Sequence, residues 1–402
     1  MTTVTTMKAD TRSIPSPDEL IARARAMIPA LKARAVRGAE ECMIPAETVA
    51  EMQDAGLFRV LQPRRWGGYE MRPEVFYEIL ATLAQGDMSS AWIYGVIAVH
   101  PWQLATFDDK AAQEVWGEDD SVLIASSYMP TGRLTPCEGG YRLTGRWGYS
   151  GGSDHCQWTF LAGVPEGPEG PDFNNAMIIL VPRTDYMLVD TWDTAGLRGT
   201  GSKDLVIEDK FVPHHRAVSR INTFQRTLPG REVNSSPLYG LPYGQVFSRA
   251  VSTASIGALQ AMINLVTETA KTRVSIHGVA AKSDPVLTQA LAEAQNEIDM
   301  LMLVMRRNCD VLWGYAERDE DPPMELRTQY RFQASLPPER ASIMAARLFK
   351  AVGGAAVYNK NGYGQILADI NTGRQHAANQ FELFARNWGA EMTGIPNNDT
   401  FL

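Results

Sequence analysis

Two histidines stand where a neutral imidazole has chemical use. His100 lies inside an uncharged run, residues 88–107, where burial would disfavour the charged ring. His376 lies late in the chain, in GRQHAAN, on a stretch whose pattern predicts the last helix. An imidazole titrates near neutrality, so both are candidate acid–base groups. A histidine on an apolar face is equally the pattern of a satisfied core residue, and residue type alone leaves both readings open. The six histidines show no HxxxH or HExxH spacing, which disfavours metal catalysis. Cys42, Cys137, Cys156 and Cys309 are far apart and form no CxxC. Neither a disulfide framework nor a metal site is expected, and a reducing cytoplasm is the simplest setting. Cys156, next to His155, is expected to be a small buried hydrophobe and not a nucleophile.

A second set of residues offers a binding surface instead of proton chemistry. The stretch 141–163, YRLTGRWGYSGGSDHCQWTFLAG, reads as a strand that breaks at a glycine pair and resumes. At the break stand Trp147, Ser150, Gly151 and Gly152, a flat aromatic, a hydroxyl and two positions of close backbone approach. Ser126 and Ser127, in the preceding strand segment, add hydroxyls and amides. A flat ring with polar edges, such as an isoalloxazine, needs this kind of surface. The bland alternatives are a serine satisfying backbone at a bulge and a tryptophan in the core. Further on, GLRGTGS at 196–202 superficially evokes a phosphate fingerprint. A dinucleotide fingerprint requires a following helix, but the strand-like LVIEDKFV follows, so the segment is expected to be a hairpin. Its amides, Thr200 and Ser202 can still hold polar groups of a ligand.

Chemistry of this kind must be positioned by elements that the sequence marks clearly. Length, 402 residues, exceeds one ordinary domain. Hydrophobic content of 45% and a net charge of −8 without a basic block fit a soluble protein and disfavour nucleic acid. The run 88–107 is long enough to span a bilayer, but it carries His100, Pro101 and Gln103, so a buried helix is expected and no membrane partner. Ser16, Pro17 and Glu19 form a capping box ahead of an amphipathic pattern. Helical patterns fill residues 1–118. Short β-branched and aromatic runs separated by Gly, Pro and Asn-Asn fill 119–225, an antiparallel barrel or sandwich. Helices return over 226–402: one long helix over 245–275, one from Pro285, one starting at Pro337-Pro338, and one over 367–387. Their stripes predict four-helix-bundle packing. The fold class is therefore α+β, in the order helical domain, β domain, bundle.

That order resembles the acyl-CoA dehydrogenase fold along nearly the whole chain. More closely, the chain resembles the oxygenase components of two-component flavin-dependent monooxygenases. The residues that carry this are GGYRLTGRWGYSGGSDHCQW, WDTAGLRGTGSKDLVIEDKFVPHHR, GDMSSAWIYGVIAVHPW and DINTGRQH. The resemblance implies an oxygenase that takes reduced FMN or FAD from a separate NAD(P)H-dependent flavin reductase. With O2 it would form a flavin C4a-hydroperoxide that hydroxylates a small aromatic, phenolic substrate. It also implies site residues. Ser150 would sit near flavin N5, with Ser126, Ser127, Trp147, Gly151 and Thr200 around the cofactor. Trp92, His100 and His376 would face the substrate, the histidines accepting a phenol proton. Arg273 would reach the flavin of a neighbouring subunit, within a homotetramer. By spacing alone, and not by the resemblance, Asp369 at seven residues before His376 is placed to orient it or to cap the helix. N- or S-oxygenation by the same oxidant remains an alternative. Acyl-CoA dehydrogenases use a glutamate base in their last helices, whereas 351–368 holds no glutamate; dehydrogenation would need a displaced base.

Overall fold

The structure, a computed structural model, describes residues 13–167, 170–274, 278, 280–397 and 399–402. The chain opens with α1 (Pro17–Glu40), α2 (Ala46–Asp54), α3 (Pro73–Leu83), α4 (Met88–Ala98), α5 (His100–Leu104) and α6 (Asp109–Trp116). The capping box is formed as its spacing demands: Glu19 N–H donates to Ser16 Oγ at 3.2 Å and Ser16 N–H to the Glu19 carboxylate at 2.6 Å. Eight strands follow: β1 (Ile124–Cys137), β2 (Gly140–Ser150), β3 (Trp158–Gly167), β4 (Gly170–Pro171), β5 (Met177–Pro182), β6 (Met187–Val189), β7 (Lys203–Pro213) and β8 (Ala217–Ser219). After the short α7 (Arg220–Gln225) come α8 (Tyr243–Ala250), α9 (Ala254–Thr272), α10 (Pro285–Glu317), α11 (Met324–Val352), α12 (Tyr363–Arg374) and α13 (Phe381–Met392).

Strand order is β6-β7-β2-β1-β3-β5-β8, with β4 beside β3. One pairing corrects the expectation of a purely antiparallel domain: β1 and β3 are parallel, Ile124 opposite Trp158. β2 ends level with the start of β3, so the short link 151–157 steps past β1 without a crossover helix. Alternation along β3 and β5 gives the sheet two apolar faces. Leu161, Ile179 and Val181 join Leu134, Leu143, Trp147, Leu205 and Ile207 in a core of the β domain's own. Phe160, Ile178 and Leu180 belong to the large core shared with the helices.

The bundle also departs from the expected helix ends. Pro337 and Pro338 do not start a helix; they lie buried inside α11. Two prolines forfeit backbone hydrogen bonds, and α11 nonetheless persists, flanked by α8, α9, α10, α12 and α13. The expected single helix over 245–275 is broken at residues 251–253, and Ser275 lies outside the described residues. The expected last helix is broken at residues 375–380. Asn379 joins the two breaks, its Nδ2 donating to the carbonyls of Val251 at 3.0 Å and Gly373 at 2.9 Å. The stretch 243–272 is long and apolar enough to cross a membrane by composition, yet its most apolar window is 78% buried inside the protein.

Candidate active site

His100 opens α5 and has no exposed surface. Its Nδ1 lies 2.6 Å from the carbonyl oxygen of Ile124, the first residue of β1. A carbonyl only accepts, so Nδ1 carries the proton and Nε2 holds a lone pair. That Nε2 is buried without a partner. Burial, offset in part by the Ile124 bond, pushes the imidazole down to about 4, so it is neutral at working pH. Phe160 and Tyr128 stand edge-on to the ring, with centroids at 5.5 and 6.4 Å.

His376 has the opposite proton placement. It is not on a helix, as its pattern implied, but in extended backbone at the break, capping the 3-10 turn Ala377–Asn379. Its Nδ1 accepts the N–H of Ala378 at 3.1 Å, so the neutral ring carries its proton on Nε2. Burial, and then the Arg331 guanidinium, push it down to about 4. Trp92 stands edge-on to it, centroids 5.8 Å apart. Trp92 precedes His100 by eight residues, or about 12 Å of helix rise, so the histidines meet different parts of the site.

Between them lie residues that sequence reasoning passed over. Tyr128 donates its hydroxyl to Gln103 Oε1 at 2.5 Å, and Tyr243 shares that acceptor at 3.5 Å. Gln103 Nε2 and Asn379 Oδ1 are buried without partners. Tyr243 stacks on Phe247, centroids 5.5 Å apart, and Phe401 meets both edge-on. Buried polar atoms are almost always paired. Unpaired ones collected on aromatic walls are the signature of a ligand site. Gln103 was visible as the polar residue of an uncharged run, and Asn379 as the end of HAAN; Tyr128 and Tyr243 gave no signal of their own.

Around the break, Ser150 Oγ, fully buried, donates to the Ser126 carbonyl at 3.1 Å and accepts from Ser153 at 2.6 Å. Gly152 N–H donates to the Thr200 carbonyl at 3.1 Å, which joins the break to GLRGTGS. Thr200 and Ser202 hydroxyls lie 2.9 Å apart, and a Cβ on Gly151 would sit 3.2 Å from Ser202 Oγ. The GLRGTGS segment links β6 to β7, an antiparallel pair, so it is a wide hairpin. Ser127 donates to the Gly148 carbonyl at 2.6 Å. Trp147 corrects the expectation of a cofactor stacker. It is fully buried in the β-domain core, its indole N–H bonded to the Ala162 carbonyl at 2.7 Å. Gly132 and Gly145 make the slot for its ring, since a Cβ would approach it to 2.3 and 2.7 Å.

Other residues are placed elsewhere. Asp369 does not touch His376: its Oδ1 accepts Leu197 N–H at 2.6 Å and Gln365 Nε2 at 2.7 Å, pinning GLRGTGS to α12. Burial, and then Asp87, push that carboxyl up to about 7. Arg273 caps α9 and reaches towards Gly353. It lies about 30 Å of helix rise from Val251, so it does not join the other site residues of its own chain. Cys156 is buried with its thiol pushed up by desolvation, as a small hydrophobe would be.

These features define an acyl-CoA dehydrogenase-type architecture with a polar-lined aromatic site, and residues 250–381 match the family described as acyl-CoA dehydrogenase, C-terminal domain. The chain is 34% identical over 383 residues to the flavin-dependent monooxygenase oxygenase subunit HsaA of Rhodococcus jostii RHA1, covering 94% of this chain and 100% of that one. It is 26% identical over 391 residues to the oxygenase component of the FADH2-dependent resorcinol hydroxylase of Rhizobium sp. MTP-10005, covering 94% of each. The crystal structure of the 3-HSA hydroxylase from Rhodococcus sp. RHA1 matches with a TM-score of 0.92 at 34% identity, covering 96% of this chain and 100% of that one. The chain belongs to the family of flavin-dependent monooxygenase oxygenase subunits, and it is an enzyme that works with reduced flavin.

The residues present fit that cofactor. Four residues of β1, 128–131, face a single residue of β3 and have no ladder partner on β2. Side-chain hydroxyls of Ser127 and Thr131 bridge this gap to the Gly148 and Arg146 carbonyls. Met129 within it and Tyr149 beside it are exposed, Tyr149 in left-handed backbone at φ 63°. Unpaired strand backbone beside an exposed aromatic suits a ring with polar edges.

Proposed function

We propose that this oxygenase hydroxylates a phenolic aromatic, with His100 as the group that accepts the phenol proton. The observation that carries this is the orphaned Nε2 lone pair of His100, held in a neutral ring by the Ile124 carbonyl. Reduced flavin supplies, with O2, the electrophilic oxygen atom. The strand edge at 128–131, Ser126, Gly151, Thr200 and Ser202 would hold the flavin. Ser150 has spent its one O–H on Ser126, so towards a ligand it offers only an acceptor site. His100 Nε2 withdraws the phenol hydrogen and makes the ring more nucleophilic. His376, whose Nε2 carries hydrogen, acts as a donor that orients the substrate, a role opposite to the acceptor that its position suggests. Trp92, Phe160 and Phe247 exclude water, which keeps the electrostatics of the site strong.

The test is rapid mixing of the protein and reduced flavin with oxygenated buffer, with and without a phenol. Reoxidation is expected to be markedly slower than for free flavin, and the phenol to gain one oxygen atom by mass spectrometry. Reoxidation as fast as in protein-free buffer would sink the reading. FMN and FAD, each with the same reductase, are compared in that experiment.

The reductase is proposed as a transient partner in a reducing cytoplasm, and the enzyme as a homotetramer in which Arg273 serves a neighbour's flavin. Distance from its own site supports that assignment. Arg273→Ala is expected to weaken flavin binding about 10- to 100-fold, the worth of a hydrogen bond to a charged group, with the sedimenting mass unchanged. A monomeric wild-type protein, or unchanged flavin affinity in the variant, defeats it.

A further inference from the structure

Arg331, on α11, has no exposed surface. Its Nη2 donates to the Ala378 carbonyl at 2.9 Å, while Nε and Nη1 have no partner. Phe384 and Phe401 lie over the guanidinium, with ring centroids 3.4 and 5.5 Å from its carbon. Among the described residues no carboxylate pairs with it; Asp399 acts only through space. A buried cation without an anion is expensive, and this one keeps its charge. Burial lowers it only to about 9, so it is a guanidinium at neutral pH.

Its neighbours belong to the site. Ala378 follows His376 by two residues and its N–H is the one that fixes the His376 tautomer. Phe401 meets Tyr243 at 5.7 Å and Phe247 at 6.2 Å. His376 and Phe401 are the half-buried members of this cluster and mark the side on which it meets solvent. The guanidinium's free Nε and Nη1 donors match the oxygens of a carboxylate, and its aromatic surround suits the ring to which such a group would be attached.

We infer that Arg331 is the receptor for a carboxylate carried by the substrate, so that the enzyme selects phenolic acids over neutral phenols. The inference rests on the proposed phenol reading and names the substrate class for that site.

The experiment is a binding titration of the whole protein, without flavin, against para-hydroxyphenylpropanoate and its primary amide, by calorimetry. The two probes differ little in shape and by one charge. Wild type is expected to bind the acid at least about 10-fold more tightly than the amide, and Arg331→Gln to weaken the acid about 10- to 100-fold, as for a lost charge-assisted bond. The amide should change by no more than about 2-fold, the scale of an uninvolved contact, and Arg331→Lys should restore part of the acid preference. Equal wild-type affinity for acid and amide, binding of neither, or equal loss of both in the variant overturns the inference. Should Arg331→Gln fail to fold by circular dichroism, the wild-type ratio and Arg331→Lys decide. Slow flavin reoxidation without acid preference defeats this inference alone; acid preference with fast reoxidation defeats the oxygenase chemistry alone.

Discussion

Replacing His100 by asparagine is expected to lower turnover of a phenol by roughly 10²- to 10⁴-fold, the usual contribution of a positioned acid–base group. Asparagine is the informative substitution because its Nδ2 stands where the histidine Nδ1 stands. It can keep the bond to the Ile124 carbonyl, now 2.6 Å long, while removing the Nε2 acceptor. Flavin reoxidation should stay slow, because His100 meets the strand edge at 128–131 only through the ring of Tyr128, and its one hydrogen bond goes to Ile124. The measurement is single-turnover product formation beside reoxidation in the same mixing experiment. Product formation within about 3-fold of wild type would fall far short of a general base's worth and would remove His100 from the chemistry.

The same residue fixes a pH dependence. His100 is held down at about 4 in the fold, against about 6.5 in an unfolded chain. Between those values the unfolded state binds a proton that the native state refuses, so stability falls as pH drops from 6.5 towards 4 and is restored above. The difference corresponds to about 3 kcal/mol for this fully buried ring. His376 is held at about 4 as well, so His100→Asn should lessen the fall of the unfolding midpoint over that window without abolishing it, as read by denaturant titration. Catalysis should show no ionisation at the ordinary histidine value, only an acid limb descending towards 4.

Much of this arrangement was readable because it is local. The capping box at Ser16, the opening of α10 at Pro285 under the Asp284 cap, and the switch from helical to alternating patterns near residue 119 all depend on neighbours in sequence. His100 and His376 stood out for the same reason, as lone titratable groups in apolar or terminal stretches. What escaped was set at a distance. The break at 251–253 contains neither glycine nor proline; it is met by Asn379, 128 residues away in sequence. The parallel β1–β3 pair depends on which strand lies between two others, and alternation along a strand says nothing of that. The two tautomers depend on one remote carbonyl and one local amide. Pro337 and Pro338 misled because packing against neighbouring helices outweighed a strong local propensity. Two further histidines are held by the fold: His215 lies 2.9 Å from Glu114, and His155 is half-buried with its Nε2 unpartnered.

Trp147 is the residue for which the competing readings give the most different results. As a core residue, its replacement by alanine is expected to destabilise the protein by about 3–5 kcal/mol, the range for a large buried aromatic. Three features push towards the upper end. The ring has no exposed surface, Gly132 and Gly145 are shaped to it, and Ala162 would be left with an unbonded carbonyl. The two glycines, whose would-be Cβ atoms would stand 2.3 and 2.7 Å from the ring, have no side chains with which to refill the space. Trp147→Phe separates the contributions: it keeps most of the apolar volume and loses the N–H, for about 1–3 kcal/mol from the unsatisfied acceptor. Both losses are read from chemical denaturation. Flavin affinity per folded molecule should be unchanged in Trp147→Phe, because the ring lies in the β-domain core with Leu134, Leu161 and Leu205 and has no exposed surface to offer a ligand. A phenylalanine variant of normal stability and weakened flavin binding would return Trp147 to the cofactor wall.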